Sequence, residues 1–133
     1  MSPKPLAAPA TQRPRILLVE DDDGVRRSLH LMLHGQGFDV RSYCAAAPLL
    51  ADPSVNGAQC LIVDYRLPDS DGLDVLRALR QSGWHGRSVL ITAYPSPSVR
   101  EAAQSCGFDA VLEKPLRQHE LIDAIEGRER EYI

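Results

Sequence analysis

Residues 16–23 read ILLVEDDD, and residues 60–64 read CLIVD. Each stretch is a short apolar run that ends on carboxylates, and apolar runs of this length bounded by polar residues are typical of buried strands. Because open α/β sheets place their sites at the carboxyl ends of their strands, we expect the acids of both stretches to gather at one edge of one sheet. The sequence therefore predicts a carboxylate site there.

Two further apolar runs extend this pattern. Residues 89–91 lead to Thr92, and residues 110–112 lead to Lys114 and Pro115. Acids, a hydroxyl and an ammonium at successive strand ends suit a divalent cation beside a phosphoryl group, since Mg²⁺ takes oxygen ligands and lysine offers a compact charge. A carboxylate can attack a phosphoryl donor once charge repulsion with the donor is cancelled, and Asp64 is the candidate phosphoacceptor.

The acids after the first strand divide into two roles. Asp21 is the first choice for a direct Mg²⁺ ligand, with Glu20 acting directly or through water, because Mg²⁺ usually takes one or two carboxylates and keeps several waters. Asp22 and Asp23 are expected at the start of the following helix, where the helix dipole favours negative charge. The alternative is that the whole run is only a helix cap, and Asp64 argues against it.

The phosphoryl-binding side has fewer candidates. Only two residues of the chain are lysines, Lys4 and Lys114, and Lys4 lies in the proline-rich N-terminal segment. Thr92 would offer its hydroxyl to the phosphoryl group, and the small side chain of Ala93 would leave the pocket open. Pro115 would fix the backbone after Lys114, with a cis bond as the minority alternative.

Strands and helices are predicted to alternate from residue 15 onward. The strands are expected at about 15–19, 38–43, 59–63, 88–92 and 109–112, and the helices at about 23–35, 45–51, 73–81 and 97–107, with a last helix around 121–125. Strict alternation favours a parallel sheet with right-handed crossovers and helices on both faces. The expected architecture is a (βα)₅ three-layer sandwich, and strand order 2-1-3-4-5 would make the two acid-bearing strands neighbours.

Length and charge exclude several classes of protein. The chain has 133 residues, which suggests one domain at 15–127 between a flexible proline-rich tail at 1–14 and an extension at 128–133. A net charge of −3 without a basic cluster gives no support for direct nucleic-acid binding. No segment approaches the roughly 18 apolar residues of a membrane span. The tail has no apolar signal-peptide region, so the expected location is the cytoplasm.

Four motifs together resemble the receiver domain of bacterial two-component response regulators. They are ILLVEDD at 16–22, LIVDYRLP at 61–68 followed by DG at 71–72, LITA at 90–93 and EKPL at 113–116. Each motif is weak alone, but together they occur in the family's order and spacing across residues 15–126.

The resemblance implies a flavodoxin-like fold and a phosphoryl transfer. Receivers accept the phosphoryl group from the phosphohistidine of a sensor histidine kinase or a histidine phosphotransfer protein, here onto Asp64. The family implies Mg²⁺ as cofactor, held by Asp21, by Asp64 and by the backbone carbonyl of Arg66, with Glu20 completing the acid pocket. Beyond Mg²⁺-dependent self-phosphorylation and self-dephosphorylation, a receiver is not expected to be an enzyme.

The resemblance also implies a switch. Thr92 and Lys114 would bind the phosphoryl oxygens and convey their presence to the face formed by the fourth helix and fifth strand. That face would bind a downstream protein partner, and with the fifth helix it would offer a homodimer contact. If the chain is not a fragment of a longer regulator, it would act as a stand-alone receiver, by docking. Whether the phosphoryl group serves as a signal or passes on in a phosphorelay stays open.

Two positions depart from the family. The family usually has an aromatic residue three positions before the lysine, where this chain has Val111, and we hypothesise that Tyr94 supplies the aromatic reporter instead. Arg66 lies two residues after the phosphoacceptor. Its side chain is expected to reach the phosphoryl group or to stack on Tyr94, and either arrangement would crowd the path of a hydrolytic water. A long-lived phosphoform is the expected consequence.

Three other functions are possible for a sequence with this pattern. A phosphorylation-independent receiver-like interaction module is supported only by Val111. An aspartyl-nucleophile phosphatase would generally need a second acid where this chain has Arg66, and a cap domain for which there is no room. A flavin-binding domain of the same fold would need a phosphate-binding loop after the first strand, where the acids of this chain would repel a phosphate.

Overall fold

The computed structural model describes residues 13–128, so the predicted tail and C-terminal extension lie almost entirely outside the described residues. Its strands are β1 Arg15–Val19, β2 Asp39–Tyr43, β3 Cys60–Asp64, β4 Arg87–Thr92 and β5 Ala110–Glu113. Its helices are α1 Asp23–Gly35, α2 Ala46–Leu50, α3 Gly72–Gln81, α4 Pro97–Cys106 and α5 Gln118–Glu126. A short 3₁₀ helix at Pro53–Gly57 is an element that the sequence did not predict. Between residues 13 and 128, no helix combines the length and the apolar character needed to cross a bilayer.

The five strands form one parallel sheet in the order β2-β1-β3-β4-β5. This order confirms the predicted flavodoxin-like fold. The last residue of β1, Val19, pairs with Val63, so β1 and β3 end side by side. Asp64 in turn pairs with Ile91 of β4, which places Thr92 one residue beyond that pair. The acid-bearing strand ends are therefore neighbours, as parallel pairing in this order requires.

The sheet separates two apolar cores. Alternate residues of β1 point to opposite faces, as the period of a strand dictates. Ile16 and Leu18 pack with buried residues of α1 and α5. Leu17 and Val19 pack with buried residues of α2, α3 and α4. A strand covered on both faces carries an unbroken apolar run, which is why β1 and β3 are recognisable in the sequence.

Side-chain caps fix the starts of three helices. Asp22 accepts a hydrogen bond from the amide of Val25 at 3.0 Å, so it caps α1, in line with its expected place at the helix start. Ser96 accepts from Val99 at 3.2 Å and caps α4, with Pro97 in the first helical position as predicted. Asp71 caps α3 in the same way. These caps explain why the helices begin directly after the sheet edge.

Gly72 lets α3 begin in contact with the end of β3. Its amide donates to the carbonyl of Tyr65 at 2.9 Å. A Cβ atom at this position would lie 2.7 Å from the backbone oxygen of Asp64 and 2.7 Å from a methyl group of Leu90. Real Cβ atoms do not approach backbone oxygen so closely, so only glycine fits without a shift of the helix.

Gly72→Ala should therefore lower the free energy of unfolding by about 1–3 kcal/mol, the usual range for forced overpacking. Urea denaturation would measure the loss. Gly35→Ala is the matched control, because nothing lies within 4 Å of a Cβ built at the end of α1; its stability should stay equal or rise. Wild-type stability in Gly72→Ala would contradict the close approach of α3 to β3.

Candidate functional site

Three carboxylates meet at the carboxyl edge of the sheet. Glu20 and Asp21 follow β1, Asp64 ends β3, and one carboxylate oxygen of each lies within 4.8 Å of the others. Glu20 is fully buried, Asp64 is 7% exposed and Asp21 is open to solvent. The two strands are neighbours, and this alone brings together acids that are more than 40 residues apart in the chain.

Lys114 lies between two of these acids. Its Nζ is 2.5 Å from Oε1 of Glu20 and 2.5 Å from Oδ2 of Asp64. Its backbone amide donates to the carbonyl of Thr92 at 2.9 Å, which holds the residue beside the end of β4. The bond between Lys114 and Pro115 is cis. The ammonium of Lys114, a residue that follows β5, thus joins the ends of β1 and β3 in one cluster.

Burial perturbs the acid–base properties of this cluster. Burial raises the pKa of Glu20 to about 7, a shift that the hydrogen bond from Lys114 opposes and that Asp64 reinforces. Burial by itself would lower the pKa of Lys114, but hydrogen bonds to Asp64 and Glu20 outweigh it and hold that pKa above its usual value. Lys114 therefore stays charged at neutral pH, and the fully buried Glu20 accepts a proton far more readily than an ordinary glutamate.

The donor set fits a hard divalent cation. Carboxylate oxygens are ligands that Mg²⁺ prefers, and the exposure of Asp21 leaves room for the waters that this ion retains. Arg66 stands two residues past β3, where its amide donates to Oδ1 of Asp64 at 3.3 Å. The role of its carbonyl as a further ligand stays a prediction.

The end of β4 supplies the hydroxyl. Thr92 is 4% exposed, and its Oγ1 accepts a hydrogen bond from the amide of Tyr94 at 3.2 Å. Ala93 is exposed, as an open pocket requires. Tyr94 is 82% exposed, so its side chain lies on the surface while its backbone amide contacts the hydroxyl of Thr92.

Two further predicted positions are Val111 and the side chain of Arg66. Val111 is half-buried and packs against the core cluster on the side of α2, α3 and α4. Arg66 is exposed, and within residues 13–128 its guanidinium forms no ion pair or hydrogen bond. In the same residues the cation–π contact is that of Arg80 over Trp84, not the one expected between Arg66 and Tyr94. Any role of the Arg66 side chain toward a phosphoryl group stays a prediction.

The contact between Asp69 and the start of α2 was not predicted from the sequence. Asp69, in the loop between β3 and α3, accepts hydrogen bonds from the amides of Ala46 and Ala47 at the start of α2. The signal was indirect, because residues 45–47 are all alanine and contain no capping side chain. The amides of a helix start without a local acceptor are satisfied by water or by an acceptor from elsewhere in the fold.

Sequence comparison finds relatives among bacterial transcriptional regulatory proteins. TrcR, a transcriptional regulatory protein of Mycobacterium tuberculosis, is 31% identical over 113 residues, which are 85% of this chain and 44% of that protein. FixJ, a transcriptional regulatory protein of Azorhizobium caulinodans, is 30% identical over 108 residues, 81% of this chain and 51% of its own length. The chain spans about half the length of these relatives.

Two solved structures superpose closely on this chain. The crystal structure of FixJ-N superposes with a TM-score of 0.78 at 31% identity, covering 92% of this chain and 98% of that one. A CheY-like receiver domain protein from Methanospirillum hungatei JF-1 has a TM-score of 0.79 at 24% identity, covering 88% and 94%, a likeness that concerns the fold. The family model of the response regulator receiver domain matches residues 16–126. The chain therefore belongs to the response regulator receiver domain family.

Proposed function

We propose that this receiver accepts a phosphoryl group on Asp64 from the phosphohistidine of a sensor histidine kinase or a histidine phosphotransfer protein. The observation that carries the proposal is the Lys114 ammonium, which lies 2.5 Å from Asp64 in a pocket with two further carboxylates. An isolated aspartate at a strand end would repel a phosphoryl donor. The Lys114 ammonium beside Asp64, together with acids that can hold a metal ion, would cancel this charge repulsion and let the carboxylate act as nucleophile.

In the proposed reaction an Oδ atom of Asp64 attacks the phosphorus. The bond between phosphorus and the donor's imidazole nitrogen breaks, its electron pair stays on that nitrogen, and an acyl phosphate forms. Lys114 would then exchange its contact with the Asp64 carboxylate for one with a phosphoryl oxygen. The hydroxyl of Thr92, one position past the residue paired with Asp64, would donate to a second oxygen.

Asp21, Asp64 and the backbone carbonyl of Arg66 would hold Mg²⁺, with Glu20 binding directly or through water. The bound ion would supply positive charge against the phosphoryl oxygens. Asp21 is the exposed member of the acids, so it can contact an ion without losing much hydration. Glu20 is fully buried, and its contact with Lys114 would also keep that side chain beside Asp64.

We further propose that phosphorylation alters the face of α4 and β5 and so controls binding of a downstream protein or a second copy. Thr92 cannot keep an unchanged contact with the Tyr94 amide if its hydroxyl turns to a phosphoryl oxygen. The neighbouring helix α4 has one fully buried residue, Ala103, and its other core-facing side chains are only partly buried, which favours its movement. Phosphorylation then needs only to favour one of two existing arrangements.

Intact mass after incubation with Mg²⁺ and acetyl phosphate tests the phosphoacceptor. The wild type should gain one phosphoryl group and Asp64→Asn none, because asparagine lacks the nucleophilic carboxylate. Wild type without an adduct would instead favour the phosphorylation-independent interaction module.

Mass spectra taken over time, with Arg66→Ala alongside, test the expected long lifetime of the phosphorylated form. The variant should lose the phosphoryl group faster than the wild type.

A melting experiment tests the metal site. Mg²⁺ at about ten times its Kd should add about 1.4 kcal/mol to the stability of the wild type, because it binds the folded state. Asp21→Asn should lose most of the resulting rise in Tm. Asp23→Asn is the matched control, since Asp23 belongs to the same acidic run but pairs with Arg26 on the outside of α1. An equal rise in all three proteins would contradict the assignment.

Hydrogen exchange with and without phosphorylation tests the reporter role of Tyr94. The backbone amides of α4 and β5 should change their protection in the wild type and in Tyr94→Phe, which keeps the ring. Tyr94→Ala should retain the phosphoryl group but lose that change. The same change in Tyr94→Ala would exclude Tyr94 as the aromatic reporter.

A further inference from the structure

Helix α2 depends on a side chain from the phosphoacceptor loop for its N-terminal cap. Its N-cap residue, Ala45, has no side-chain acceptor. The two carboxylate oxygens of Asp69 accept from the amides of Ala46 and Ala47, each at 2.9 Å, across 23 and 22 residues of chain. These hydrogen bonds lower the pKa of Asp69 and keep it charged, and a negative charge at a helix start is also favoured by the dipole.

The base of the same loop is tied to the phosphoacceptor. The amide of Gly72 donates to Tyr65 at 2.9 Å, so the loop returns to the point where β3 ends. Within it, the amide of Arg66 donates to Oδ1 of Asp64 at 3.3 Å, and Arg66 also forms an antiparallel bridge with Asp71. The backbone that would present the Arg66 carbonyl to a metal is therefore part of this loop.

The tip of the loop is held less firmly than its flanks, where Leu67 packs against the core cluster that includes Leu49. The amide of Leu67 donates to the carbonyl of Ser70 at 3.1 Å, which closes the turn locally. Pro68 and Asp69 between them are exposed. Helix α2, in contrast, is anchored by Leu49, which is fully buried, and by Ala46, which is 3% exposed. Asp69 thus joins an exposed turn to a fixed part of the core.

We infer that Asp69 is a positioning residue for the metal and phosphoacceptor site, because its hydrogen bonds to α2 hold the loop that carries the Arg66 backbone. The inference rests on the proposed function. It assigns Asp69 a role beyond capping: the geometry of the Arg66 carbonyl and of the Arg66 amide at Asp64 depends on where the loop's outer end is held. Groups that orient metal ligands typically change metal affinity by about 10–100-fold when removed.

Asp69→Ala should bind Mg²⁺ about tenfold more weakly than the wild type, at the lower end of that range because Asp69 acts through the backbone. Isothermal titration calorimetry would measure the Kd, at a temperature where circular dichroism shows every variant to be folded. Asp69→Asn should bind with intermediate affinity, since an amide oxygen can accept one hydrogen bond but has no charge. It also provides the measurement if Asp69→Ala does not fold.

A second variant separates positioning from stability. Ala45→Ser gives α2 a local cap, for which the extended backbone of Ala45 is suited. In Asp69→Ala/Ala45→Ser, the Tm should recover toward that of the wild type while the Mg²⁺ affinity stays low. If the affinity recovers together with the Tm, Asp69 acts only through helix stability and the inference is wrong.

Measurements on the wild type separate the role of Asp69 from the phosphoacceptor function itself. If the wild type neither binds Mg²⁺ nor gains a phosphoryl group, the proposed function fails and the inference fails with it. If the wild type binds Mg²⁺ and Asp69→Ala binds it equally well, the proposed function stands and the inference alone is overturned.

Discussion

Two carboxylates as close as Glu20 and Asp64 repel each other, and both are almost excluded from water. The ammonium of Lys114 lies 2.5 Å from each and compensates this repulsion. Removing one member of a buried charge cluster leaves the others unpaired, which is generally more destabilising than losing a surface ion pair. The end of β1, the end of β3 and the segment after β5 are consequently held in one arrangement, and the other parts of the site are built around it.

Strand order explains why this cluster can form. Parallel pairing in the order β2-β1-β3-β4-β5 places the end of β3 between the ends of β1 and β4, so residues 20, 64 and 92 stand at one edge of the sheet although the chain between them is long. The approach of α3 to β3 at Gly72 then returns the loop after Asp64 to the same edge. The strand order thus creates the site, whose residues are the last residues of strands or follow them directly.

Much of this could be predicted from local patterns. Apolar runs that end on polar residues identified the strands, and the acids, Thr92 and Lys114 stood at their ends. The interaction of Asp69 with α2 could not be predicted in this way. The bonded residues lie 23 and 22 positions apart in the chain, and such a contact leaves no periodic signal. The 3₁₀ helix at Pro53–Gly57 is too short to show a period. The exposure of Tyr94 depends on tertiary packing, which its neighbours in sequence do not reveal.

The sheet divides the core into two clusters whose sequences can change independently. The helices of one layer, α1 and α5, pack in a different cluster from α2, α3 and α4. Substitutions that reshape the outer surface of one layer therefore leave the packing of the other largely intact, while the charged cluster lies at the edge that both layers share. The two outer surfaces of the molecule can then change in sequence at separate rates around one charged cluster.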